Sequence, residues 1–231
     1  MGTIGSNLQE VRRRIEAACA KAARDVNTVT LLAVSKTFPP AALREAFAAG
    51  ARAFGENYAQ EALAKIDALA DLRPLIEWHF IGPLQSNKTR PVAAAFDWVH
   101  SVDRLRIAQR LAEQRPADLP ALNLCLQVNV SGEASKSGTA PADVPTLAAA
   151  VAALPGERVR LRGLMSIPEP NDDAARQRGQ HRAVRELFVA LRAAGHPLDT
   201  LSMGMSADLE AAILEGSTLV RVGSAIFGQR Y

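Results

Sequence analysis

The sequence has little cysteine and no long apolar run. Its two cysteines, Cys19 and Cys125, belong to no CxxC motif and to no Cys/His spacing that is typical of a zinc site. This pattern predicts neither a structural disulfide nor a bound metal, and it is typical of a reducing compartment. The sequence also lacks a signal-peptide hydrophobic region and any apolar run near the roughly 18 residues that a membrane span needs. We therefore expect a cytoplasmic protein that has no membrane partner.

Aromatic residues and excess charge are also scarce. Aromatics make up 5% of the 231 residues, and 27 basic against 24 acidic residues leave a formal net charge of +3. The largest basic run, Arg12 to Arg14, falls in a helical pattern that would face solvent, so we expect no nucleic-acid partner. The sequence contains no HExxH, GxSxG or paired-carboxylate arrangement. The segment from Gly82 to Lys88 has a lysine but not the second glycine of a P-loop, which argues against a nucleotide site.

What the sequence does contain is a regular alternation of short apolar strands and amphipathic helices. A helix within residues 1–25 precedes the first strand, and eight strand-then-helix units follow without a linker or a detectable repeat. Such alternation predicts a parallel sheet with both faces covered. Eight units in 231 residues fit a closed (β/α)8 barrel better than an open doubly wound sheet. We expect one α/β domain over residues 1–231, in which the first helix covers the gap left by a short final helix.

Lys36 falls where the first strand should end. The stretch from Val29 to Thr37, VTLLAVSKT, has the apolar and β-branched residues of a buried strand. Proteins with parallel sheets bind ligands at the carboxyl ends of their strands. Partial burial at that place would favour the neutral amine, which can form a Schiff base. An ordinary loop lysine is the alternative that this stretch alone leaves open.

Two later strand ends have the composition of an anion site. Ser206 is predicted to cap the helix after strand seven, and Gly223 and Ser224 open the turn after strand eight, where barrels recurrently hold a phosphate. Arg221 lies within the apolar strand LVRVG, where a guanidinium needs a partner. A capping serine, a tight turn and a structural salt bridge are the alternatives. Taken with Lys36, these residues suggest pyridoxal 5′-phosphate, whose aldehyde, phosphate and ring nitrogen each find a matching group.

The other candidate residues give weaker evidence for a functional site. His79 and His100 lie in predicted strands and are expected to be core histidines, whereas His181 and His196 are expected at the surface. Lys136, in the loop SGEASKSG, could be a mobile second amine near the mouth of the barrel. A solvated loop lysine is the alternative there.

Seven blocks of the sequence together resemble one known family. They are AVSKT around Lys36, FGENYAQE from Phe54, WHFIGPLQSNK from Trp78, VNVSGEASKSG from Val128, GLMSIP from Gly163, LSMGMSADLEAAI from Leu201 and GSTLVRVGSAIFG from Gly216. The family is that of the pyridoxal phosphate homeostasis proteins, of the YggS/PROSC type. The resemblance covers nearly the whole chain from about Val29 onward, and the first helix is less diagnostic.

The resemblance implies a fold and a set of cofactor-binding residues. The fold is the barrel of the amino-terminal domain of alanine racemase, the fold-type III scaffold for pyridoxal phosphate. By similarity, Lys36 would carry the cofactor as an internal aldimine and Arg221 would face the ring nitrogen. The other residues implied to bind the cofactor are Asn57 beside the lysine, and Ser206, Gly223 and Ser224 at the phosphate, with Ser166 as a further phosphate contact.

The resemblance also implies a role without substrate turnover. Members of the family are thought to bind the cofactor and hand it over, which would make apo forms of cofactor-dependent enzymes the partners, and a monomer the working form. Arg221 at the ring nitrogen would discourage its protonation and weaken carbanion chemistry. The sequence ends at Tyr231, where related racemases continue into a second domain. The alternative is a minimal racemase or decarboxylase, for which Lys136 and Tyr58 are the weak candidates for a second acid/base group.

Overall fold

The computed structural model describes residues 2–130, 137–169 and 173–228. Within these ranges, eight parallel strands close into a barrel in chain order. The strands are β1 (Thr30–Val34), β2 (Ala53–Glu56), β3 (Glu77–Phe80), β4 (Trp98–Val102), β5 (Leu122–Val128), β6 (Val159–Ser166), β7 (Thr200–Ser202) and β8 (Leu219–Val222). The predicted (β/α)8 barrel is confirmed.

Helices cover the outside of the barrel. They are α1 (Ile4–Lys21), α2 (Pro40–Ala48), α3 (Ala59–Ala68), α4 (Thr89–Ala95), α5 (Leu105–Gln114), α6 (Val144–Ala152), α7 (Ala174–Ala193), α8 (Leu209–Leu214) and α9 (Ser224–Phe227). Short 3-10 turns lie at Val26–Thr28, Ala70–Leu75, Ser86–Lys88 and Pro141–Asp143. No helix in the described part of the chain is long and apolar enough to cross a membrane.

Closure of the barrel joins the first strand to the last. Thr30 of β1 pairs with Leu219 of β8, and Ala33 pairs with both Val222 of β8 and Phe54 of β2. Because all eight strands are parallel, their carboxyl ends meet at one mouth. The apolar strand residues pack against the inner faces of the helices and form one large core, with Trp78 and Phe54 among its fully buried side chains. This arrangement brings residues that are distant in the sequence to one face.

The first helix closes the side of the barrel where the last helices are short. Helix α1 contacts α2, α8 and α9, and its buried residues are Leu8, Val11, Ile15, Ala18 and Cys19. It begins earlier than the apolar spacing alone predicts, because the hydroxyl of Thr3 caps it by accepting from the N–H of Ser6. Asn7 Nδ2 donates to the carbonyl of Ile226 at 2.9 Å, which ties α1 to α9.

Beyond β5 the backbone pairs with a later loop. Strand β5 ends at Val128, after which the N–H of Asn129 donates to the carbonyl of Thr139 at 2.9 Å and the N–H of Thr139 donates to the carbonyl of Gln127 at 2.8 Å. Cys19 and Cys125 are both free and buried, as expected.

Candidate functional site

A cavity of about 580 Å³ opens at the carboxyl ends of the strands. Its lining includes six of the seven residues that the sequence singled out, namely Lys36, Asn57, Ser206, Arg221, Gly223 and Ser224, together with Val34, Phe38, Ile81, Ile167, Met205, Ala207 and Gly228. The seventh, Ser166, is fully buried at the end of β6, next to the cavity residue Ile167. One amine, one guanidinium and two hydroxyls therefore share a single pocket.

Lys36 lies in a turn directly after β1. The strand ends at Val34, Ser35 is buried, and Lys36 itself is half-buried on the cavity wall. The next residue, Thr37, has a φ of 69°, a left-handed backbone conformation that is rare for a β-branched residue. Its N–H donates to the carboxylate of Glu61, which holds the strained turn in place. The position of the amine is therefore set by a turn that the surrounding structure must enforce.

A buried ion pair lies beneath this turn. Lys65 Nζ donates to Glu56 Oε1 at 2.8 Å and to the carbonyl of Ser35 at 2.7 Å, and it also pairs with Glu61. Ser35 Oγ donates to the same Glu56 oxygen at 2.6 Å. Burial raises the pKa of Glu56 although Lys65 and Ser35 act against that shift. Both residues that flank Lys36 are thus anchored, Ser35 by Glu56 and Lys65, and Thr37 by Glu61.

Arg221 forms the floor of the cavity. Its side chain is buried in β8, where one guanidinium nitrogen donates to the carbonyl and to the hydroxyl of Ser202 at 2.6 and 2.8 Å. The other nitrogen donates to the carbonyl of Ser166 at 2.7 Å. These acceptors are neutral, and burial lowers the pKa of Arg221 to about 10, against the opposing effect of Asp208. The guanidinium therefore stays protonated at neutral pH and remains a fixed donor.

The two serines predicted to bind an anion lie on neighbouring loops. Ser206 follows β7 and Ser224 follows β8, and their hydroxyl oxygens are 3.4 Å apart. Gly223, between them, passes so close to β1 that a Cβ atom would lie 3.1 Å from the carbonyl of Val34. The first N–H groups of α9 have no partners within the helix, as at any helix start. The two loops thus offer hydroxyl and backbone donors on one side of the cavity.

One detail of the anion site was predicted wrongly. Ser206 was expected to cap the helix after strand seven, but that helix starts at Leu209 and Asp208 precedes it. The carboxylate of Asp208 does not cap the helix either, because it accepts hydrogen bonds from the N–H of Met205 at 2.6 Å and from His181 at 3.0 Å. Ser206 is left in the turn before the helix, where Arg14 of α1 donates to its carbonyl at 2.9 Å. The loop, and not a capping hydrogen bond, therefore positions the hydroxyl of Ser206.

Two polar atoms at the site lack a hydrogen-bond partner among the described residues. They are Asn57 Oδ1 and Ser166 Oγ, and both atoms are buried. An unpartnered buried oxygen or hydroxyl costs about 1–3 kcal/mol. The backbone of Asn57 is fixed by Gly82, where a Cβ atom would lie 2.1 Å from the Asn57 carbonyl. Polar groups held in this way beside a cavity are typical of a site that is completed by a ligand.

The remaining candidates divide into core and surface. His79 and His100 are buried inside the barrel, as expected. His181 was expected at the surface but is fully buried, because it lies on the inner face of α7, where its Nε2–H donates to the carboxylate of Asp208 at 3.0 Å. Tyr58 is exposed next to Asn57 and is not among the cavity residues. Lys136 lies outside the described residues.

Sequence reasoning missed the residues that support Lys36. The buried pair of Lys65 with Glu56 depends on how α3 packs on β2, and no local pattern reveals that packing. The spacing of Glu61 and Lys65, four residues apart on one helix, was the available signal, but it is also the common spacing of exposed ion pairs. The stacking of the cavity residue Phe38 on Phe227 of α9, with ring centroids 5.0 Å apart, was also missed.

Comparison with known proteins agrees with the fold. Residues 6–231 match the family model "Alanine racemase, N-terminal domain". The chain is 64% identical to a pyridoxal phosphate homeostasis protein of Pseudomonas aeruginosa, over all of this chain and 97% of that one. It is 54% identical to a pyridoxal phosphate homeostasis protein of Escherichia coli K12, over all of this chain and 98% of that one. Among solved structures it is similar to PipY of Synechococcus elongatus with PLP bound, with a TM-score of 0.83 and 39% identity over 98% of this chain and 100% of that one.

The parallel barrel, with its amine at the end of β1 and its arginine in β8, therefore has the fold class of the alanine racemase N-terminal domain. Within that class, the high identity over the full chain is decisive. The chain belongs to the family of pyridoxal phosphate homeostasis proteins.

Proposed function

We propose that this protein binds pyridoxal 5′-phosphate in the cavity and releases it to apo enzymes without converting a substrate. The observation that carries the proposal is that Lys36, Arg221 and the serine loops line one pocket of about 580 Å³. That volume lies within the range of small-molecule sites, and the three groups match the three functional parts of the cofactor. The relatives named as homeostasis proteins, and PipY with its bound PLP, support the same choice.

Each part of the pocket has a distinct task in this proposal. Pyridoxal phosphate supplies an aldehyde, which Lys36 would hold as a Schiff base. Ser206, Gly223 and Ser224 would bind the phosphate through hydroxyl and backbone donors. The unpartnered Ser166 Oγ and Asn57 Oδ1 fit this ligand, because each would gain the partner that it lacks among the described residues.

The protonated guanidinium of Arg221 argues for a carrier. Its pKa of about 10 leaves it a donor at neutral pH, so it would donate to the ring nitrogen and keep that nitrogen unprotonated. An unprotonated ring accepts electrons from a carbanion less well than a protonated one. The residues of the site thus favour holding the cofactor over reaction at an amino acid. We also propose that the chain acts as one barrel domain, as a monomer, in the cytoplasm.

The test is a titration of the purified full chain with pyridoxal phosphate, followed by its absorbance. We expect a Schiff-base band that is lost in Lys36→Ala and kept in Lys88→Ala, which removes an exposed lysine in the 3-10 turn after β3 that does not line the cavity. Borohydride reduction and mass analysis of peptides should place the adduct on Lys36. A band that survives in Lys36→Ala would overturn the assignment of the pocket.

A second measurement separates a carrier from an enzyme. The loaded protein is mixed with a panel of amino acids, and racemised and decarboxylated products are assayed. It is then mixed with an apo enzyme whose activity reports cofactor transfer. We expect transfer without product. Turnover on the order of 1 per second or faster would instead identify a minimal racemase or decarboxylase.

A further inference from the structure

A line of polar side chains crosses the interior of the barrel. Glu77 stands at the start of β3, at the amino-terminal mouth, and Arg221 stands at the cavity on the opposite side. Between them, His79, His100 and Ser202 are all buried, and they project from β3, β4 and β7. None of these three is needed to explain the cavity itself. Barrel interiors are ordinarily filled with apolar side chains, so a continuous polar line needs a reason.

The contacts along the line are unbroken. Arg221 NH1 lies 2.8 Å from Ser202 Oγ, and Ser202 Oγ lies 2.8 Å from His100 Nδ1. His100 Nε2 lies 2.9 Å from His79 Nδ1, and His79 Nε2 lies 3.2 Å from Glu77 Oε2. These are four successive hydrogen bonds within ordinary distances.

The protons along the line can be assigned from its cationic end. Arg221 can only donate, so Ser202 Oγ accepts from it. The other contact of Ser202 Oγ among the described residues is His100 Nδ1, so we assign the hydroxyl proton to that contact and His100 Nδ1 as its acceptor. A histidine that accepts at Nδ1 carries its proton at Nε2, and His100 therefore donates to His79.

The same reasoning gives the positions of the protons at the Glu77 end of the line. His79 accepts at Nδ1 and so donates from Nε2 to the carboxylate of Glu77, which can accept when ionised. The hydrogen bond with His79 lowers the pKa of Glu77 despite partial burial, and burial lowers the pKa of His100 well below its usual value. Both shifts agree with an ionised glutamate and a neutral His100. The His79 ring is further fixed by stacking on Trp98, with ring centroids 5.4 Å apart and planes at 9°.

We propose that Glu77, His79, His100 and Ser202 form one polarised hydrogen-bond chain that positions the Arg221 guanidinium at the cofactor pocket. In this chain every proton points from Arg221 towards Glu77. The four are positioning residues, since they act through Arg221 and do not line the pocket. A change at Glu77, at the far mouth of the barrel, then alters the cofactor site. The inference rests on the proposed function at one point, which is that Arg221 faces the ring nitrogen.

The direction of the chain is tested in the cofactor-free protein. Long-range ¹H–¹⁵N spectra of the histidine rings report which nitrogen carries the proton. The signals of His181 and His196 are removed one at a time by His→Gln variants. His79 and His100 need not be told apart, because both are expected to be neutral and protonated at Nε2. A proton on Nδ1 of either ring, alone or together with one on Nε2, would overturn the proposal.

The coupling to the pocket is tested with pyridoxal phosphate. Ser202→Ala removes the hydroxyl acceptor of Arg221 and leaves the carbonyls of Ser202 and Ser166 in place, and we expect about tenfold weaker binding and a shifted absorbance maximum. The matched control is Ser217→Ala, since Ser217 is also fully buried but its hydroxyl donates to a backbone carbonyl, that of Met203 at 2.7 Å, and does not contact Arg221. For Glu77→Gln we expect a smaller shift of the absorbance maximum in the same direction. The rings of His79 and His100 should then no longer be held in the Nε2-protonated tautomer alone. Glu113→Gln, at an exposed position, should change neither the absorbance maximum nor the histidine ring tautomers.

The outcomes separate the two proposals. Binding and absorbance in Ser202→Ala and Glu77→Gln that equal those of their controls would overturn the positioning role. Failure of the unaltered protein to show a Lys36-dependent band would overturn the proposed function instead. The ring tautomers are read without cofactor, so they decide the direction of the chain in either case.

Discussion

Lys65 Nζ lies 2.8 Å from Glu56 Oε1, and the pair is buried directly beneath the turn that presents Lys36. The side chains of Lys36 and Lys65 have different surroundings. Lys36 faces a cavity, whereas Lys65 is enclosed by the carboxylates of Glu56 and Glu61 and by the carbonyl of Ser35. A buried ion pair adds little net stability over an apolar pair, but it is costly to break on one side. The pair is therefore best understood as a clamp on the turn.

The first prediction concerns this clamp. Lys65→Met leaves Glu56 buried without its counter-charge, and we expect the free energy of unfolding to fall by about 3–5 kcal/mol in urea titrations. The double variant Lys65→Met with Glu56→Gln should recover part of that loss, because no charge then stays buried unpaired. A double variant as unstable as the single one would show that the pair is not what Lys65 contributes.

The second prediction concerns the strained turn. Thr37→Asn places a residue that tolerates a positive φ where a β-branched residue now lies at 69°. We expect the free energy of unfolding, measured by urea titration, to rise by about 1 kcal/mol. The control is Thr146→Asn at an exposed position of helix α6, which should be neutral or slightly destabilising. Equal effects at both positions would argue that Thr37 stores no strain.

The third prediction concerns Gly82. A Cβ atom there would lie 2.1 Å from the Asn57 carbonyl, so Gly82→Ala must displace the backbone beside the cavity. We expect a loss of about 1–3 kcal/mol in the free energy of unfolding and weaker binding of pyridoxal phosphate. Gly156→Ala, where the added Cβ meets nothing within 4 Å, is the matched control. Unchanged cofactor binding in Gly82→Ala would remove Asn57 from the proposed pocket.

The fourth prediction concerns the acid limb of stability. Glu215 is buried and pairs with Arg178, Arg182 and Arg185 at 2.7, 3.1 and 2.9 Å. Burial raises its pKa, but the hydrogen bonds from Arg182 and Arg178 outweigh that effect and leave the pKa lowered. A carboxylate with a lowered pKa in the folded state stabilises fully above its unfolded pKa of about 4.3, and this stability is lost as the pH falls through the folded value.

Glu215→Gln should therefore be less stable than the unaltered protein at pH 7, by about 2 kcal/mol. The difference should shrink as unfolding is measured below about pH 4. Glu157→Gln, at an exposed position, should show no such dependence. A difference that stays constant down to pH 3 would mean that the charge of Glu215 is not what stabilises the fold.

The sequence allowed the prediction of most of the barrel and of the residues around its mouth. Lys36 and Arg221 could be identified because parallel strands converge at their carboxyl ends, so strand position alone predicts proximity. The environment of these residues could not be identified in the same way. Lys65 meets Glu56 only through the packing of α3 on β2, and His181 is buried where its Nε2 hydrogen-bonds the carboxylate of Asp208, 27 residues further along the sequence. Contacts of this kind depend on tertiary packing, which has no local periodicity.

The hydrogen bond from Asn7 to the carbonyl of Ile226 spans 219 residues of sequence. With the pairing of β1 and β8, it makes the cavity depend on segments that lie far apart in the sequence. Contacts of such long sequence separation form late in folding, because the loop that they close is costly in entropy. A nascent chain in which β8 has not yet paired with β1 has no Arg221 or Ser224 opposite Lys36, so this cavity can capture a ligand only after that pairing has formed.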